Sequence, residues 1–209
     1  MRVIAGELRG RRLTAPVGPA VRPTLDRVRE AVFDILYSLG GVEGMQVLDL
    51  FAGSGAMGIE ALSRGAASVT FVDRAASAID AVRANLVGVG IPDAEGNGDA
   101  TLIRAEASAW MATTASRYDL ALCDPPYDYE DWSTLLARLP ADLAVLESGA
   151  PIPSVPGWGI VKSKRYGGTI VTVARPEPVI VARPEPVGQT SPEPVRQASS
   201  ELVTERGVS

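Results

Sequence analysis

Histidine is absent from this 209-residue chain, and cysteine occurs once, at Cys123. Without histidine, Ser-His and Cys-His nucleophilic schemes are excluded, and the commonest metal ligand goes with them. A single thiol can form neither an internal disulfide nor a cysteine cluster, so no metal site is expected. Cys123 closes a short apolar run, which suits a small buried residue better than a reactive thiol. Long apolar runs are also missing: no stretch reaches the length needed to span a bilayer. The arginine-bearing start lacks the apolar centre of a signal peptide, so the expected location is cytoplasmic.

Positive charge is scarce overall, with a net charge of −5. Its distribution is uneven. The first thirty residues hold seven arginines against three acids, a local excess of +4, so the remainder carries −9. Screening confines such a field to about 8–10 Å, so a basic arm can bind phosphate even on an acidic protein. Arg9, Arg11 and Arg12, with Arg22 further on, are candidate RNA contacts. Lys162, Lys164 and Arg165 form a second basic cluster.

Residues 121–127 read Ala-Leu-Cys-Asp-Pro-Pro-Tyr, an apolar run ending in an acid, two prolines and a ring. The exocyclic amine of adenine, cytosine or guanine is a poor nucleophile because its lone pair is delocalised into the ring. Acceptors that hold its hydrogens favour a tetrahedral, reactive nitrogen. The Asp124 carboxylate and the proline-fixed carbonyl of Pro125 are such acceptors, with Pro126 completing the turn. Tyr127 can stack on a planar base drawn out of its helix. The same tetrapeptide also suits a plain strand-ending turn.

Upstream, Val47-Leu48-Asp49-Leu50-Phe51-Ala52-Gly53-Ser54-Gly55-Ala56-Met57-Gly58 reads as a buried strand, a glycine-rich turn and a helix start. Glycines let backbone amides approach a ligand closely. Gly53, Gly55 and Gly58 satisfy G-x-G-x-x-G, a weak pattern that fits NAD as well as other nucleotides. Asp49 favours one of them. A carboxylate at the strand end repels a pyrophosphate but attracts the ammonium of a methionine moiety, directly or through water, which points to S-adenosylmethionine. Phe51 and Ala52 belong to the same loop. The next strand ends at Asp73, followed by Arg74, where a carboxylate can accept both ribose hydroxyls. A third strand runs into Glu106 and Ala107. Glu106 is either an acceptor for the adenine amine or a helix N-terminal acid favoured by the macrodipole.

These segments, with Met1-Arg2-Val3-Ile4-Ala5-Gly6, Leu8-Arg9-Gly10-Arg11-Arg12-Leu13, Arg22-Pro23-Thr24-Leu25-Asp26-Arg27-Val28-Arg29-Glu30-Ala31-Val32-Phe33 and Lys162-Ser163-Lys164-Arg165-Tyr166-Gly167-Gly168-Thr169, closely resemble the bacterial RsmD-type 16S rRNA guanine-N2-methyltransferases. The resemblance covers roughly residues 1–174. It implies an α/β, Rossmann-like class I S-adenosylmethionine-dependent fold, with a mostly parallel seven-stranded sheet and an antiparallel last strand. It further implies methyl transfer to N2 of one guanine, conventionally numbered 966. The partner would be 16S rRNA in the small ribosomal subunit or its assembly intermediate, and the enzyme a monomer. Tyr166 falls where the family has either a structural or a substrate-facing tyrosine. Two alternatives stay open: an N6-adenine DNA methyltransferase, and a non-catalytic RNA-binding assembly factor on the same fold.

Three regions are expected. Residues 1–23 form a basic RNA-contacting arm built as a short hairpin or strand pair, 24–174 the catalytic domain, and 175–209 a disordered tail. In the middle region, Thr24 caps a helix whose apolar face is Leu25, Val28, Val32, Ile35, Leu36 and Leu39, stopped by Gly40-Gly41. Strands and helices then alternate, as in a parallel sheet covered on both faces. Residues 88–100 read as a polar loop, and an antiparallel pair falls within 159–174. From Arg175 onward, Arg-Pro-Glu-Pro-Val and close variants recur every eight residues, which favours extended chain over helix or sheet.

Overall fold

The computed structural model describes residues 1–15, 26–91 and 99–178. Strands β1 (Gln46–Leu50), β2 (Ser68–Asp73), β3 (Ala100–Arg104), β4 (Leu120–Cys123), β5 (Ala144–Ser148), β6 (Trp158–Tyr166) and β7 (Thr169–Pro176) form one sheet in the order β3-β2-β1-β4-β5-β7-β6. The first five are mutually parallel, while β7 runs antiparallel to both β5 and β6. Chain order reverses between β1 and β4, so a crevice opens at their carboxyl ends, where open α/β sheets bind ligands.

Helices α1 (Asp26–Ser38), α2 (Ala56–Ser63) and α3 (Ala76–Val89) cover one face, packing on Val47, Val69, Phe71, Leu122, Val145, Val171 and Val173. Helices α4 (Ala107–Met111) and α5 (Trp132–Arg138) cover the other, on Leu48, Leu50, Val72, Ala121, Cys123 and Leu146. The alternation follows from strand geometry, since successive side chains point to opposite faces. In α1 the expected face is buried at Val28, Val32, Ile35 and Leu36. Leu39 lies past the helix end and is exposed, while Gly41 returns its N–H to the Leu36 carbonyl at 3.0 Å. Arg22, Thr24 and Leu25 fall outside the described residues.

The expected N-terminal hairpin is present and packed down. Arg2 and Arg12 form an antiparallel bridge, and Val3 and Leu13 enter the core. Glu60 of α2, fully buried, accepts from the N–H groups of Ile4 at 2.7 Å and Ala5 at 3.0 Å. Ser63 accepts from Leu8 N–H at 3.0 Å. Gly6 lies so close that a Cβ would fall 1.7 Å from the Ser63 carbonyl oxygen, which only glycine permits. Arg29, counted above in the basic excess, is also buried, bonded to the Arg2 carbonyl and the Asp26 carboxylate. It balances Glu60 from 3.6 Å and contributes nothing to an outward-facing basic surface.

The repeat segment begins inside the sheet. Arg175 pairs with Gly159 and Pro176 with Trp158 at the end of β7, because a proline at a strand end withholds no essential ladder donor. The sheet therefore extends two residues beyond 174, Glu177 donates its N–H to the Gly157 carbonyl at 2.8 Å, and residues 179–209 lie outside the described residues. Among the described residues no helix is long and apolar enough to cross a membrane.

Candidate active site

Asp49, Asp73 and Asp124 gather at the carboxyl ends of β1, β2 and β4. Leu50 is paired with Cys123 across the β1–β4 junction, so Phe51 and Asp124 leave the sheet side by side. Val47, Phe71 and Leu122 all face α1–α3, and the acids two residues further on share that face. Asp49 feels the charges of both other acids. The expected convergence on one crevice is therefore present.

The three glycine amides of the loop are engaged within the protein. Gly53 N–H donates to Asp73 at 3.0 Å, Gly55 N–H to the Ala52 carbonyl at 2.7 Å, and Gly58 N–H to Asp49 at 2.8 Å. The glycines thus fold a tight, side-chain-free floor instead of directing free donors outward. Asp49 is a clamp between strand and helix as well as a buried charge. Its carboxylate sits at the N-terminus of α2, where the macrodipole favours it, but burial pushes its proton affinity well above the ordinary carboxylate range.

Asp73 accepts from Gly53 with one oxygen and from Ala75 N–H at 2.8 Å with the other. A carboxylate oxygen has a second lone pair, so both can still accept from a diol, which fits a ribose. Glu106 is exposed and caps α4, taking the Ser108 hydroxyl at 2.6 Å and Ala109 N–H at 2.9 Å. These bonds, the Ser108 hydroxyl first, hold its pKa below the usual value, helped slightly by Arg74. The helix-capping alternative for Glu106 is thus realised in the fold, one residue before buried Ala107.

Asp124 is half-buried, Pro125 buried and Pro126 exposed. Tyr127 is 51% exposed. Its ring rests on Gly149, where a Cβ would fall 2.9 Å from Cδ1, and its phenol oxygen lies 2.7 Å from the Thr169 hydroxyl. The tetrapeptide therefore ends a strand and also presents a fixed, accessible ring.

Two features escape motif reading. Tyr129 stands between Phe51, with ring centroids 5.8 Å apart, and Trp132, at 5.2 Å edge-on. Phe51, at one end of this aromatic wall, takes a left-handed φ of 65°. Glu147, at the end of β5, is 5% exposed and senses both Asp124 and Asp49. Alternation of aromatic and acidic residues after Pro126 was the available signal for the first; the second, one acid in an apolar strand, had none.

The basic residues divide. Arg9, Arg11 and Arg12 are exposed on the hairpin. Lys162, Lys164 and Arg165 are exposed on the outer strand β6, and Lys164 lies over the Tyr166 ring at 5.2 Å. Tyr166 itself packs against the core cluster. No group of three histidine, cysteine or acidic side chains among the described residues is arranged to hold a metal.

Comparison with known proteins decides the ancestry. The family model described as "Conserved hypothetical protein 95" matches residues 1–175. The chain belongs to the RsmD-type family. Ribosomal RNA small subunit methyltransferase D of Escherichia coli K12 is 36% identical over 127 residues, 61% of this chain, which spans 60% of that protein's length. The Haemophilus influenzae protein of the same name is 29% identical over 178 residues, covering 80% of this chain and 89% of that one. The solved structure of yhhF from Escherichia coli superposes with a TM-score of 0.71 at 31% identity, covering 85% of this chain and 98% of that one. The RsmD-type chain accordingly has the Rossmann-like class I methyltransferase fold, with the seven strands and the antiparallel last strand that the resemblance implied.

Proposed function

We propose that this RsmD-type protein transfers a methyl group from S-adenosylmethionine to the N2 amine of a guanine in small-subunit rRNA. One observation carries the reading: the acid of Asp-Pro-Pro-Tyr and the acid-flanked glycine loop border one crevice at the β1–β4 switch point. The names of the related proteins support an rRNA substrate.

S-adenosylmethionine supplies an electrophilic methyl on a sulfonium. Asp73 would hold the ribose hydroxyls, Glu106 the adenine amine, and the Phe51–Ala52 turn with Gly53 and Gly55 the floor, with Ala107 and Arg74 at the rim. Asp49 would place negative charge near the methionine ammonium. Tyr127 would stack on the extruded base. The Asp124 carboxylate and the Pro125 carbonyl would hold the two N2 hydrogens and stabilise positive charge as it develops on nitrogen. Fixing both partners in one orientation is worth up to about 7–11 kcal/mol of the barrier. Arg9, Arg11 and Arg12 on the hairpin, and Lys162 and Arg165 on β6, would contact phosphates.

The test is mass spectrometry of nucleosides from unmethylated small subunits incubated with protein and isotopically labelled cofactor. N2-methylguanosine at a single rRNA position is the expected product. Label in duplex DNA, or no transfer by a protein that binds the cofactor, overturns the reading.

A further inference from the structure

We propose that Glu147 is a positioning residue that joins Asp124 in a carboxyl pair and makes Asp124 the proton acceptor for the methylated amine. The proposal rests on the amine-methylation reading above. Cys123 and Leu146 are the last register partners of β4 and β5. The next residues, Asp124 and Glu147, therefore lie beside each other on strands about 4.8 Å apart. Leu122 and Val145, two residues back, face the same core cluster, so both acids point to one side of the sheet.

Glu147 is 5% exposed, and its Oε1 has no hydrogen-bond partner among the described residues. Burying a carboxyl with an unused oxygen is costly, and such groups in native proteins call for a functional explanation. The charged groups that bear on it are Asp124 from β4, Asp49 from β1 and Arg29 from α1, while its partner on β7 is the apolar Val171. Burial first, then the two acids, raises its proton affinity well above the ordinary range, with Arg29 opposing.

The reaction can use such a pair. As the bond from N2 to the methyl carbon forms, the carbon–sulfur bond breaks and its electron pair stays on sulfur. N2 then carries two hydrogens, the methyl group and a positive charge, and must release one proton. A lone exposed carboxylate takes that proton but holds it less tightly than a pair does. A carboxylate with a second one alongside binds the first proton more tightly, because like charges a few ångströms apart resist double ionisation. Asp124 receives the proton, Glu147 secures its retention, and solvent later removes it.

The pair is empty above its shared pKa and filled below it, so methylation falls on the acid side. Isotope-edited NMR of the cofactor-free protein reads the Asp124 carboxyl carbon directly, and single-turnover rates give the acid limb. Glu147→Gln keeps the shape and removes the charge. Its expected effect is a fall of about one pH unit or more in both the Asp124 midpoint and the acid limb, a tenfold loss of proton affinity. The plateau rate drops about tenfold, while cofactor affinity stays within about twofold. Coupling is reciprocal, so Asp124→Asn lowers the Glu147 midpoint by a similar amount, an arm that survives if Glu147→Gln fails to fold. A folded Glu147→Gln protein with an unmoved Asp124 midpoint, or an unmoved Glu147 midpoint in Asp124→Asn, overturns the pair. The titrations require neither cofactor nor RNA. A product other than N2-methylguanosine thus rejects the functional reading and leaves the pair to be judged alone.

Discussion

The Tyr127 phenol is tethered 2.7 Å from the Thr169 hydroxyl, so the ring of the acid-proline-proline-tyrosine turn is held from the antiparallel strand β7. Tyr127→Phe keeps the stacking surface and loses the tether; Tyr127→Ala loses both. Stacking on a base is worth about 1–3 kcal/mol. The alanine variant should lose about that much in kcat/KM for RNA, with the phenylalanine variant between it and wild type. Equal activity of all three would remove the ring from the base pocket.

Asp124→Ala removes the carboxylate proposed as the acceptor for the amine. A lost preorganised group of this kind costs about 10²–10³ in turnover. Calorimetry should find cofactor affinity nearly unchanged, and methylation at the normal rate would exclude the role.

Asp49 couples stability to pH. Its folded-state pKa is raised, chiefly by burial, so above that raised value the folded state must hold a charge that the unfolded state solvates freely. The folded protein binds the proton more tightly, and this contribution to stability therefore declines as pH rises through the raised value. Asp49→Asn can still accept Gly58 N–H through its amide oxygen. It should melt higher than wild type at mildly alkaline pH, with the gap closing on acidification, and bind S-adenosylmethionine more weakly. Thermal melts at several pH values and a binding isotherm check both halves.

Glu60→Ala strands the Ile4 and Ala5 amides and takes from the buried Arg29 the buried one of its two carboxylate partners, leaving the partly exposed Asp26. Breaking a buried pair on one side costs about 3–5 kcal/mol. Urea unfolding should show a loss of that order, whereas a change below about 1 kcal/mol would mean that the hairpin is not anchored there.

Replacing Arg9, Arg11 and Arg12 with glutamine should weaken RNA binding and flatten its salt dependence. Each lost phosphate contact removes about 0.7–0.9 from the log–log slope. Unchanged slopes would assign RNA binding to β6 or elsewhere.

The sheet and most of the crevice were legible because apolar runs end at acids: Val47-Leu48 at Asp49, Phe71-Val72 at Asp73, Leu122-Cys123 at Asp124. That pattern is local and survives without coordinates. Glu60, Arg29 and Glu147 were not legible, because a buried charge is recognised by its partners, and theirs lie far along the chain. Ile4 bonds Glu60 across 56 positions, and Glu147 meets Asp124 only because β4 and β5 are neighbours. Arg29 shows the error this produces. In composition it counts toward the local positive excess, but its burial takes it out of the outward-facing charge.

Cys123 ends β4 immediately before Asp124; burial, reinforced by Asp49 and Asp124, pushes its thiol pKa up. An alkylating reagent can label it only when the middle of the sheet parts. The labelling rate of the native protein would therefore count rare openings beneath the crevice, with no engineered probe, and its slowing would register whatever settles above.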